Sequence, residues 1–193
     1  MLAINGKGNI PALNTAIYPC LIVGSVMELI NEGMVLKDEK GKLSVAKEFE
    51  NNFTYLSPLY AFIAEKSVYV HELFHTKQLK EVTIAIRDTL ISKDCKDILT
   101  HQGVFKNKTK YVSKPEIVQK IIARIHDQFF GDEPLDDKTA CLVTLLDVSG
   151  LIRDYFGKID AKLLKKQLEE LPEREIQKLL AENLGDDFGG ISI

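Results

Sequence analysis

The stretch from Leu21 to Val45, LIVGSVMELINEGMVLKDEKGKLSV, decides the fold. Apolar residues at Ile17, Cys20, Leu21, Gly24, Met27 and Ile30 recur at helical spacing, with Asn14 upstream as a cap and Gly33 where a left-handed stop belongs. The period then changes. Met34-Val35-Leu36 and Leu43-Ser44-Val45 flank the polar, glycine-bearing run Lys37-Asp38-Glu39-Lys40-Gly41-Lys42, the pattern of a short β-hairpin. A helix, a glycine stop and a hairpin thus follow one another within a single stretch.

Moving outward, Ser57-Pro58 predicts a helix over Pro58 to Lys66, and Leu79, Val82, Ile86 and Leu90 predict another from Lys77 to Ile91. A helix from Asp94 to Gln102 ahead of Gly103 is expected next. Val104-Phe105, a turn at Lys106-Asn107-Lys108 and Thr109 to Val112 then repeat the hairpin. Pro115 opens a helix striped by Ile117, Ile121, Ile125 and Phe129 and closed by Gly131. Asp136 or Asp137 caps Lys138 to Val148, apolar on nearly every side and therefore expected at the centre of the domain. Asp160 is expected to cap Ala161 to Leu171, and Pro172 to restart a helix ending at Leu184. The expected architecture is all-α: a compact single domain, residues 1–185, with a buried central helix ringed by amphipathic helices and two small β-hairpins at the edge. Residues 186–193 read as a flexible acidic, glycine-bearing tail.

Composition narrows the function classes. The 193 residues are 45% hydrophobic and 27% charged, enough apolar content to bury one sizeable core. A formal net charge of −3 excludes whole-surface attraction to nucleic acid or anionic membrane, so such contact needs a local basic patch. Cys20, Cys95 and Cys141 are odd in number and far apart, which points away from a disulfide framework and towards a reducing, cytoplasmic setting. The apolar run Ala16 to Met27 is interrupted by Pro19 and Gly24 and is about half the roughly 20 residues a spanning helix needs. It reads as a core helix, and no transmembrane segment is expected.

Three patterns carry candidate chemistry. His71-Glu72-Leu73-Phe74-His75 matches the H-E-x-x-H string in which two histidines on one helix face hold zinc and the glutamate deprotonates a bound water. A zinc-dependent metallohydrolase using His71, Glu72 and His75 is therefore an alternative reading, although neither Glu81 nor His101 stands in a recognisable third-ligand position. Lys106, Lys108, Lys110 and Lys114 alternate along the second hairpin, with Lys120 and Arg124 on the next helix. Such a face can meet phosphate, or can guard an edge strand against aggregation. The twice-repeated helix and hairpin is similar to winged-helix DNA-binding domains, a second alternative. The helices concerned carry Glu28, Glu32, Asp94 and Asp97 and lack the basic face that DNA demands. No nucleotide-binding or nucleophile-elbow motif is present, and no cofactor or metal is expected under the leading reading.

Leu21 to Val45, together with Asp137 to Leu151, DKTACLVTLLDVSGL, and with ILTHQGVFKNKTKYV between them, resembles the Golgi phosphoprotein 3 family, including its bacterial-type members. The resemblance implies an all-α lipid-binding domain with no known enzymatic activity. It also implies peripheral association with membrane through phosphatidylinositol 4-phosphate or another anionic lipid, and an adaptor role towards a protein partner. In the family a tryptophan and three arginines bind the headgroup. Here their counterparts are Leu13, Ile22, Thr89 and Ser92, which supply no charge-assisted contact. Tyr18, Arg87 and Lys93 lie within about a helical turn of these positions and, with Lys106, Lys108 and Lys110, are the headgroup candidates.

Overall fold

The computed structural model describes residues 2, 16–74, 76–103 and 106–184. It is a mostly α-helical fold carrying a small three-stranded antiparallel sheet and a separate two-stranded hairpin. Two compact units divide the chain, and each is made of two segments: one comprises the described residues of Met1–Ile17 and Leu90–Pro172, the other those of Tyr18–Thr89 and Glu173–Ile193.

In the second of these units, helix α1 (Ile17–Asn31) forms where the apolar spacing predicts. It is a core helix: Ile22, Val23, Val26 and Leu29 have no exposure at all. Ser25, in its midst, returns its hydroxyl proton to the Leu21 carbonyl (2.8 Å), so the polar group is satisfied within the helix. Gly33 ends it with φ +67°, its N–H donating to Ile30 and that of Met34 to Leu29, both at 2.9 Å. This is a Schellman closure, and the residues that bracket it, Leu29 and Met34, are both buried. Asn14, the expected cap, lies outside the described residues.

Strands β1 (Val35–Lys37) and β2 (Lys42–Val45) pair with Val35 opposite Val45 and Lys37 opposite Leu43. Asp38 closes the turn, its carboxylate accepting from the N–H groups of Lys40 and Lys42 at 2.9 and 2.8 Å. A 3-10 segment (Asn51–Leu56) leads into α2 (Ser57–Glu65) without a break. Ser57 is therefore the first residue of the helix, one position before the expected start at Pro58. Beyond α2, β3 (Val68–Tyr69) joins β2 as a third strand that the sequence pattern does not reveal. It passes directly into a second 3-10 turn (Val70–Phe74).

Helix α3 (Thr76–Asp94) is followed by β4 (Cys95–Gly103) and β5 (Lys106–Ser113). The helix expected from Asp94 to Gln102 is a strand. So short a helix is marginal alone, whereas pairing across Asp97↔Val112, Ile98↔Tyr111 and Thr100↔Thr109 satisfies the same backbone groups through a partner that carries the β-formers Thr109, Tyr111 and Val112 at these positions. The turn expected at Lys106 to Lys108 likewise becomes strand, because Gly103 pairs with Lys106. A helix followed by a hairpin thus occurs twice, as α1 with β1 and β2 and as α3 with β4 and β5, but the second time α3 passes into β4 without a glycine stop.

Helix α4 (Pro115–Phe130), α5 (Asp137–Val148) and α6 (Ile152–Glu169) pack on one another. Ile125 and Phe129 are buried, as the stripe on α4 predicts, and the Gln167 amide of α6 donates to the Phe129 carbonyl at 2.8 Å. Gly131 is required for space: a Cβ there would lie 2.6 Å from the Asp127 carbonyl oxygen. Asp136 is the cap of α5, accepting from the Thr139 N–H at 2.7 Å. No residue from Thr139 to Val148 is exposed, so α5 is the buried helix its composition predicts.

Helix α6 starts well before the expected Asp160 cap. Gly157, at φ +67° and ψ −177°, breaks it, and Asp160 falls just past that break instead of at a helix start. Helix α7 (Glu175–Leu184) returns to the unit containing the three-stranded sheet and packs on the 3-10 turn at Val70–Phe74. The Gln177 side chain accepts from the Arg174 N–H at 2.7 Å, half of a capping box. The Lys37 ammonium lies 2.7 Å from Glu175 and 3.3 Å from Glu182, tying β1 to α7. The expected tail, 186–193, lies outside the described residues.

Candidate functional site

The zinc string folds in a way that spends its glutamate elsewhere. His71 to Phe74 lie in a 3-10 turn, where residues three apart eclipse and the four-residue spacing of the string no longer aligns side chains as it would on an α-helix. Glu72 accepts from the Tyr69 N–H at 2.8 Å, and Lys66 stands 3.9 Å away. That backbone hydrogen bond, with the nearby cations, outweighs desolvation and lowers the Glu72 pKa below its usual range. A carboxylate so engaged is poorly suited to taking a proton from water. The exposed His71 ring stacks on Tyr69, centroids 5.5 Å apart. Among the described residues no three His, Cys, Asp or Glu side chains are placed to share a metal ion; His75 lies outside them.

The lysine pattern has a defined backbone. Lys106, Lys108 and Lys110 occupy every second position of β5, opposite Gly103, His101 and Leu99 of β4. In sequence, the pair Val104-Phe105 joins the two strands. Lys114 follows as the half-buried residue before α4. Lys120 is exposed on α4, but Arg124 is committed to Asp136, its guanidinium 2.5 Å from the carboxylate. Arg124 therefore belongs to the capping of α5 rather than to the lysine group.

The remaining candidates are scattered over two helices. Tyr18 is half-buried in the first turn of α1. Arg87 is exposed on α3 and already paired with its neighbour Asp88, at 2.7 Å from one guanidinium nitrogen. Lys93 lies near the end of the same helix. Of the positions matched to the family's headgroup pocket, Ile22 is wholly buried in α1 and faces no solvent, while Thr89 is half-buried on α3. Leu13 lies outside the described residues. Sequence reasoning gives no role to Ile159 and Leu163 of α6, yet they are large exposed aliphatics. Their four-residue spacing amid lysines is the signal that would have found them.

A mostly helical module with a lysine-bearing hairpin, and with no helix among its described residues long and apolar enough to cross a membrane, is thereby defined. The family model described as Golgi phosphoprotein 3 (GPP34) matches residues 1–186, essentially the whole chain, and the chain belongs to that family. No curated protein and no solved structure matches it.

Proposed function

We propose that this chain is a non-enzymatic module that associates peripherally with membranes by binding an anionic phospholipid headgroup, phosphatidylinositol 4-phosphate or another, and that it serves as an adaptor for a protein partner. The family match over nearly the whole chain carries the reading. The alternation of Lys106, Lys108 and Lys110 along β5 supports it, because three cations on one short strand suit a phosphate-bearing surface. Arg87, Lys93 and Tyr18 are secondary candidates; Arg87 would have to exchange Asp88 for a phosphate. A cytoplasmic location, reversibly at a membrane surface, fits the same chemistry.

Sedimentation with vesicles tests the lipid half. Retention on phosphatidylcholine vesicles doped with phosphatidylinositol 4-phosphate or phosphatidylserine at low salt is expected, and no retention on either refutes it.

A further inference from the structure

Beyond Gly157, α6 buries Ala161, Leu164 and Leu168, and the opposite side of the helix carries Ile159 and Leu163. These two are 77% and 46% exposed, the two most outward large aliphatics among the described side chains of their unit. Four residues apart, they form one ridge, and Lys158, Lys162 and Lys166 form the ridge beside it at the same spacing. Lys158 and Lys162 have no ion-pair partner among the described residues, while Lys166 stands 3.6 Å from Glu170. Asp160 adjoins Ile159 on the other flank, and Glu169 lies with Glu170 at the far end of the helix. Of the charged side chains within a turn of the apolar pair, four are lysines and one is an aspartate. Lys165, which leans inward, is paired with Asp147 of α5 and takes no part.

We propose that this outer face of α6 is a second membrane-contact surface, distinct from the β5 lysines, on which Ile159 and Leu163 enter the headgroup layer while Lys158, Lys162 and Lys166 meet anionic lipid. The inference rests on the lipid-binding reading above. Exposed aliphatics cost little folding stability to keep but gain by leaving water, and lysine stems reach from such a ridge to phosphates while their methylenes stay against the apolar layer. The lysines choose the occupant. A second copy docked antiparallel, face to face, would bring the Lys162 and Lys166 flanks of the two copies together, whereas an anionic bilayer neutralises the whole row.

The chain has no tryptophan, so Leu163→Trp introduces a single indole as a reporter on this face. With vesicles of phosphatidylcholine and phosphatidylserine, its emission is expected to shift to the blue and to be quenched by brominated lipid. Ile159→Ser with Leu163→Ser is expected to weaken vesicle affinity on the order of tenfold, insensitively to salt. Lys158→Gln, Lys162→Gln and Lys166→Gln together should weaken it between about tenfold and a hundredfold at low salt and little at high salt. Bound protein whose Leu163→Trp indole neither shifts nor is quenched overturns the proposal while leaving the lipid reading intact. So does self-association that the serine variants abolish without loss of vesicle binding. If the unsubstituted chain binds no vesicle, both readings fall together.

Discussion

Replacing Asp136 by alanine removes the cap of α5 and the anchor of Arg124 in one step. Its carboxylate accepts from the Thr139 N–H at 2.7 Å, from the Gln128 amide at 2.7 Å and from Arg124 at 2.5 Å. Its own N–H donates to the Gln128 side-chain oxygen Oε1 at 3.2 Å. Loss of an aspartate cap costs about 1 kcal/mol. The Arg124 pair adds no more than about 0.5 kcal/mol, because the two side chains are 53% and 39% exposed and water screens them. Asp136→Ala should therefore destabilise its unit by about 1.5 kcal/mol, a fall in Tm of about 3–6 °C for a chain of this length. Asp136→Asn keeps an acceptor for Thr139 and should cost about half as much. Burial opposes ionisation of Asp136, but the hydrogen bonds from Arg124, Gln128 and Thr139 prevail and hold its carboxyl well below the usual range. A pKa lowered on folding stabilises above the unfolded value, about 3.9, and that stability is lost as pH falls towards the folded value. The gap between the native chain and Asp136→Asn should thus be full at pH 7 and shrink below about pH 4. Urea titrations followed by circular dichroism at several pH values measure it. An Asp136→Ala variant as stable as the native chain at pH 7, or a gap that widens in acid, would refute the reasoning.

Exchanging Lys106, Lys108 and Lys110 for glutamine should weaken vesicle binding by about two orders of magnitude at low salt, each lysine contributing on the order of 1 kcal/mol. Unaltered affinity accompanied by light scattering from aggregates would instead identify the lysines as edge protection. Desolvation works against the Lys37 ammonium, but the hydrogen bonds and charges of Glu175 and Glu182 outweigh it and raise its pKa. Its contribution is present below about pH 10.4 and lost as pH rises through the folded value. Lys37→Met should accordingly cost about 1 kcal/mol at neutral pH, less in high salt, as read from denaturant unfolding. Cys20 is 5% exposed, and burial pushes its thiol up to about 12. Alkylation at pH 8 followed by peptide mass mapping should leave it unmodified in the native chain and modify it after denaturation.

The helices were legible wherever an apolar period and a terminal signal agreed. Gly33 and Asp136 mark chain reversals whose hydrogen bonds are local, so a few residues suffice to announce them. Cys95 to Gly103 was misleading because its partner lies beyond the turn, and a strand of mixed polarity carries no period of its own. Strand β3 was hidden for a related reason: two paired residues are too few to alternate. The start of α6 escaped because Leu151, which precedes it, makes no side-chain cap bond, whereas Asp160 offers a cap signal just past the break at Gly157. For the candidate site, charge spacing along β5 was readable, but commitments were not. That Glu72 serves a turn, Arg124 serves a cap and Ile22 sits in the core depends on what each side chain meets in space.

The interleaving of the two units has a consequence for synthesis. Elongation is directional, and the unit that begins at Tyr18 lacks α7, and with it the partners of Lys37, until the ribosome has added Glu175 and Glu182. The Lys37 to Glu182 contact closes a separation of 145 residues. The segment from Leu90 to Pro172 is made entirely within that interval, so α4, α5 and α6 can pack while the Tyr18–Thr89 segment still waits for its closing helix. A nascent chain arrested between these points would leave the Val70–Phe74 turn without α7 and Lys37 without its acidic partners. Its exposure to chaperones is therefore set by the translation time of the inserted segment.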